Sequence, residues 1–151
     1  MRTRRPYEGM TLIEVLLVIA LIAVLAAITF IAINPAKNFQ DARNATRSSD
    51  VLQILNAVTQ YTSEQGHTVA GLGTIPTCAA TPAGTPIGTG TNNVNLGTTL
   101  VPDYIVGIPV DPSGGTYTAA DTGYNICTTA GSRIKIMSRG AEGGKTIAVQ
   151  R

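Results

Sequence analysis

Glu14 is the first residue to explain, because it stands inside Glu8 to Ile33, a stretch that is otherwise apolar almost throughout. A carboxylate in hydrocarbon costs several kcal/mol unless it finds a partner, so one retained there is a functional group by default. The chain offers little to a catalyst. His67 is the only histidine and lies just past Gly66, where a solvated side chain is expected rather than a base. No Gly-x-Ser-x-Gly elbow, phosphate loop or clustered metal-ligand spacing occurs, so no catalytic residue is assigned. Asn44-Ala45-Thr46 fits a glycosylation acceptor, but its place on a helix argues against modification.

The element that positions Glu14 is an apolar helix. Val15 to Ile33 is nineteen residues with Thr29 as the only polar one. At 1.5 Å per residue that is about 28 Å of helix, close to a hydrocarbon core of roughly 30 Å. In lipid the backbone must satisfy its own hydrogen bonds, which demands a helix. Arg2, Arg4 and Arg5 before it and the long polar remainder after it predict a cytoplasmic N-terminus and a C-terminal domain outside. A secretory signal peptide cut near Ala26 and Ala27 is an alternative, but the apolar stretch exceeds the usual ~7–15 residues. Neither that reading nor a plain membrane anchor explains Glu14.

The formal net charge of +2 conceals an asymmetry. The leading arginines against Glu8 supply all of it, and from Met10 onward eight basic side chains face eight acidic ones. Bulk electrostatics therefore give no reason to predict nucleic-acid binding. With 151 residues there is room for one ordinary domain beyond the apolar segment. Only 13% of residues are charged and Trp is absent, whereas Gly, Thr, Ala and Ser abound, which favours exposed β-structure and turns.

Gly9-Met10-Thr11-Leu12-Ile13-Glu14, after a short basic leader and before an apolar helix, resembles the processing site of class III signal-peptide proteins, the type IV pilins and secretion pseudopilins. The resemblance covers Gly9 to about Ile28. It implies that a prepilin peptidase cuts between Gly9 and Met10 and methylates the new amino terminus of Met10. It also implies extraction from the membrane into a helical homo-oligomer by an assembly ATPase and an inner-membrane platform protein. The usual first mature residue of that family is Phe, where this chain has Met10. The helix-bending Pro often found near the outer end of the apolar segment is replaced by Ile31, and the nearest proline is Pro35. A bend is therefore expected at Asn34-Pro35, since Pro removes a donor and disfavours helix in its predecessor.

The cleavage implied by that resemblance supplies Glu14 with a partner. In a staggered filament, Glu14 of one subunit approaches the Met10 amino group of a neighbour, and the charge-assisted pair offsets the burial of both. Thr11 beside the amine is a second assembly candidate, although a hydroxyl in a helix more often bonds its own backbone.

Beyond Pro35 the helical period continues. Val51, Leu55, Val58 and Tyr61 form one stripe with Leu52 and Ile54 beside it, while Lys37, Arg43, Arg47 and Asp50 are read on the other sides. Gly66 is a stop signal. As one rod, Met10 to Gln65 would run about 84 Å. Gly66 to about Leu100, rich in Gly, Thr, Pro and Asn, reads as a long exposed loop with at most a short element. "GYNICTTA", "SRIKIMS" and "KTIAVQ" read as a three-stranded antiparallel meander, with Ile134 and Ile136 on the buried face and Arg133 and Lys135 on the wet one. Cys78 and Cys127, in a domain expected to face an oxidising exterior, suggest one disulfide; two free buried thiols are the alternative.

Leu100 to Tyr117 resembles the loop of major pseudopilins and some Gram-positive-type pilins. In those pseudopilins acidic groups of neighbouring loops bind calcium, and Asp111 and Asp121 are the nearest candidates here, weak ones because acidic turn residues are usually turn formers. No other cofactor is expected.

The expected fold is α+β: a long N-terminal helix, hydrophobic then amphipathic, packed on a small C-terminal antiparallel sheet, as in type IV pilins. The domains are a leader over 1–9, a transmembrane and filament-core helix over 10–33, an amphipathic helix over 34–66 and a globular part over 67–151. The expected function is that of a pilus subunit, held in the cytoplasmic membrane with its N-terminus inside before assembly and extracellular in the pilus afterwards. A major pseudopilin of a type II secretion system is the alternative, and a Sec-exported β-domain with a binding function is a further one. Adhesion, twitching, DNA uptake and electron conduction are all compatible with such a filament.

Overall fold

A computed structural model describes residues 9–78 and 84–151. The chain divides into two compact units, Met1–Asn38 and Phe39–Arg151. The leader read over 1–9 therefore lies, except for Gly9, outside the described residues.

In the first unit, helix α1 runs Leu12–Ala32. Its start is set by Thr11, which is extended (φ −75°, ψ 153°) and whose hydroxyl accepts from the Glu14 backbone N–H. The only polar side chain of the apolar stretch is neutralised locally, because the Thr29 hydroxyl donates to the carbonyls of Ala26 at 2.8 Å and Leu25 at 3.1 Å. The helix ends where expected. Ile33 leaves helical geometry (φ −97°, ψ 83°), and Asn34 Oδ1 then accepts from the Lys37 N–H at 3.2 Å to open helix α2, Pro35–Ser63. Asn at the cap and Pro in the first turn are the residues a helix start favours, since Pro has no N–H to leave unsatisfied there. The break falls at the Asn34-Pro35 step where a bend is expected, and Met10 to Gln65 holds two helices instead of a single rod.

In the second unit, a 3-10 turn at Val69–Leu72, strand β1 (Thr85–Pro86), the single-turn helix α3 (Gly97–Leu100) and strands β2 (Tyr124–Thr128), β3 (Ile134–Ser138) and β4 (Ala148–Gln150) follow. The sheet order is β1-β2-β3-β4, antiparallel throughout. The expected meander is present, with β1 added at its edge. Cross-strand partners share a face, so Ile126, Ile136 and Val149 lie in one row. They join Val51, Ile54, Leu55, Val58 and Tyr61 of α2 in a single core, and Ile134 and Ile136 are buried as their alternation requires.

Two expectations fail. Leu52 is half exposed instead of buried, and Arg47 and Asp50 are buried instead of facing solvent. The stretch from Gly66 to Leu100 is not an exposed loop: Leu72, Ile87, Val94, Leu96 and Leu100 all enter the core. Its backbone is also committed, with the Ile87 N–H donating to the Tyr124 carbonyl at 2.8 Å and the Val94 N–H to that of Pro86 at 2.9 Å. Apolar residues scattered among turn formers have no period to read, yet each removes its own surface from water.

Candidate functional site

Gly9, Met10 and Thr11 precede the first turn of α1 in non-helical backbone and are exposed. Thr11 and Glu14 form a reciprocal capping box: the hydroxyl accepts from the Glu14 N–H at 3.3 Å and the Glu14 carboxylate accepts from the Thr11 N–H at 3.4 Å. The box satisfies two of the backbone donors that a helix start leaves open, and it sets a negative charge against the positive end of the helix dipole. Leu12 to Ile31 is a 20-residue window of mean hydropathy 2.9, long and apolar enough to cross a membrane. None of it is buried. Such a surface, more than a water-exposed monomer tolerates, marks a lipid or protein contact.

The second unit holds a polar cluster that the sequence did not reveal. Arg47 is fully buried and all five of its N–H donors are used. Nε and Nη2 grip Asp111 at 2.7 and 2.9 Å, Nη2 also donates to Ser113 Oγ at 2.6 Å, and Nη1 donates to Asn44 Oδ1 at 2.9 Å and Glu142 at 2.8 Å. Arg43 adds a bidentate pair to Glu142 at 2.6 and 2.7 Å. The two arginines hold the Glu142 carboxyl down at about 2, Arg43 contributing more than Arg47. Burial pushes the Asp111 carboxyl up, but hydrogen bonds from Arg47 and Ser113 outweigh it and leave it below the usual range. Burial raises the neighbouring Asp50, against the opposing hydrogen bond from the Tyr124 hydroxyl at 2.5 Å. The signal for Arg47 was the stripe itself, since stepping back one turn from Val51 lands on it.

Cys78 and Cys127 form a disulfide, so the free-thiol alternative is discarded. It fastens the segment whose Cys78 N–H donates to the Thr128 carbonyl at 2.8 Å. Asp111 and Asp121 are each engaged by an arginine, the first by Arg47 and the second by Arg139. Among the described residues no group of three or more His, Cys, Asp or Glu is placed to hold a metal ion. His67 is only partly solvated, stacking on Tyr61 with ring centroids 4.3 Å apart. Asn44 is buried, with its amide donating to the Glu142 carbonyl at 3.0 Å, which removes it as a glycosylation acceptor.

The capping box, the exposed apolar helix and the basic leader occupy one continuous segment, and that segment is matched: residues 4–30 fit the family model of the prokaryotic N-terminal methylation motif. The chain carries a prokaryotic N-terminal methylation motif. That motif is the class III signal sequence characteristic of type IV pilins and pseudopilins, and the matched segment includes Gly9, Met10, Thr11 and Glu14. No curated protein and no solved structure matches the chain. The second unit is accordingly read from its own geometry.

Proposed function

We propose that the chain is a structural subunit of a type IV pilus, cut between Gly9 and Met10 and polymerised through α1. The observation that carries this reading is a helix whose apolar surface is exposed from Leu12 to Ile31 and which bears one carboxylate in its first turn. Removing residues 1–9 creates an amino group at Met10. In the filament the Glu14 carboxylate of one subunit meets the Met10 amine of its neighbour, and each neutralises the other in a water-poor core. Apolar packing attracts without fixing register, whereas a misregistered neighbour leaves both charges unpaired. The capping box supports this arrangement, because Thr11 holds Glu14 in the first turn beside the new terminus. The prepilin peptidase acts on the membrane-inserted precursor, and the assembly ATPase and platform protein extract it; the N-terminus is cytoplasmic and the second unit outside.

A major pseudopilin of a type II secretion system is the second reading. The resemblance of Leu100 to Tyr117 to the pseudopilin loop favours it, while the commitment of Asp111 to Arg47 leaves the corresponding calcium proposal without its first carboxylate. Electron microscopy separates the two, since a pilin gives long surface filaments.

The test is mass spectrometry of the mature N-terminus together with Glu14→Ala. N-methyl-Met10 is expected, with a variant that inserts in the membrane but yields few filaments. A mature start near Ala27 overturns the filament reading, and normal filament yield from Glu14→Ala overturns the register role.

A further inference from the structure

The second unit uses almost all of its negative charge internally. Of the seven acidic side chains from Phe39 to Arg151, six are engaged within the unit: Asp41 with Lys145, Asp50 with Tyr124, Glu64 with Tyr104, Asp111 and Glu142 with Arg47, and Asp121 with Arg139. Asp103 alone makes no ion pair or side-chain hydrogen bond among the described residues. It is exposed, in the turn after α3, and three residues on stands Val106, 95% exposed and the most exposed large apolar side chain among the described residues. On the basic side, Arg133, Lys135 and Arg151 have no acidic partner among the described residues. Arg133, just before β3, and Lys135 within it are two apart on the same side of the strand and Met137 continues that row, with Arg133 exposed and Lys135 and Met137 half-buried.

We infer that these two patches are the complementary halves of a contact between the globular units of neighbouring copies: the Asp103–Val106 turn of one copy seats on Arg133, Lys135 and Met137 of the next. Each half combines unpaired charge with an apolar group, and the signs are opposite. The occupant is a second copy, because this chain itself presents the complement and, Arg151 apart, its other head charges are already engaged among the described residues. The two patches are different surfaces, so the contact is heterologous, the kind that propagates into an open helical polymer and does not close into a dimer. Exposed charges contribute modestly to affinity but strongly to register and to the rejection of wrong neighbours. The inference rests on the filament reading and adds to it where the heads meet.

A charge swap in the full chain tests it, reading sheared filament yield in cells that polymerise the wild type. Asp103→Lys and Lys135→Asp are each expected to lower the yield by about tenfold, and the two together to restore most of it. Total protein, N-terminal processing and the thermal melt of the detergent-solubilised variants are expected to match wild type, because neither side chain is held inside the fold. In wild-type filaments a carbodiimide is expected to join Asp103 of one copy to Lys135 of another. Normal yield from Asp103→Lys, a double variant no better than the singles, or Lys135 linked only to a different acid each overturns the contact while leaving the filament reading intact. If the wild type makes no filament and its mature form begins near Ala27, both fall together.

Discussion

Arg47 and Asp111, sixty-four residues apart, form a bidentate ion pair in which both side chains are completely buried. The pair joins α2 to the turn that follows Pro109, and Glu142 brings the β3–β4 connection to the same guanidinium. A buried ion pair is weak evidence of net stability, because desolvation consumes much of the attraction. Its effect is positional: an arginine with all five donors occupied leaves the three segments one arrangement.

Breaking the pair from one side is therefore costly. Asp111→Ala leaves the Arg47 charge buried with one partner fewer, and a loss of about 3–5 kcal/mol is expected in urea unfolding. Replacing both Arg47 and Asp111 with apolar residues of similar volume is expected to cost less than Asp111→Ala alone, a non-additivity that a double-mutant cycle measures.

Gly140 sits against the same carboxylate. An added Cβ there would meet the Asp111 carboxylate directly, Oδ2 first and then Cγ and Oδ1. Gly140→Ala is expected to displace Asp111 from Arg47 and to reproduce part of the Asp111→Ala loss in the same unfolding measurement. Gly131→Ala, where an added Cβ meets nothing, is the matched comparison and is expected to be near neutral.

Acid is expected to loosen this region. The Glu142 carboxyl is held at about 2 against an ordinary 4.5, and Asp111 is also held low. A folded-state value below the unfolded one means the unfolded chain takes up protons first, so the stabilisation is complete above about pH 4.5 and is lost as the pH falls towards 2. Asp50 acts in the opposite sense: its value is raised, so its contribution is present in acid and lost as the pH rises through the folded value. Glu142→Gln is expected to flatten the fall of the unfolding midpoint between those limits, and Asp50→Asn to remove the opposing part.

The disulfide closes a loop of 49 residues between Cys78 and Cys127. In the chain-entropy account such a closure stabilises by about 4 kcal/mol, a large share for a small domain. Replacing both cysteines with alanine is expected to lower the urea midpoint accordingly and to free the segment over 76–78 from Thr128, read as faster exchange of the backbone amides at positions 78 and 128.

The N-terminal segment was open to reading because its signals are local. Thr11 and Glu14 are three apart, the apolar run is continuous, and Asn34-Pro35 is both a stop and a start; each acts through a neighbour one turn away. The sheet was legible for the same reason, since Ile134 and Ile136 declare their face by alternation alone. The stretch from Gly66 to Leu100 was not, because Ile87, Val94 and Leu96 find their surroundings only when β2 arrives from more than twenty residues further on.

The amino-acid sequence by itself determined a membrane-length helix with a carboxylate in its first turn, the break at Asn34-Pro35 and a small antiparallel sheet, since propensity, period and capping operate within a few residues. Tertiary structure decided which acids meet Arg47, that Asp111 serves an arginine, and which charges stay unpaired among the described residues. Arg43 and Arg47 sit on one helix four residues apart, and what separates a half-exposed arginine from a buried one is whether acids from distant segments converge on it. Burial of a charge is favourable only when those partners are already in place, and their arrival is a property of the folded chain.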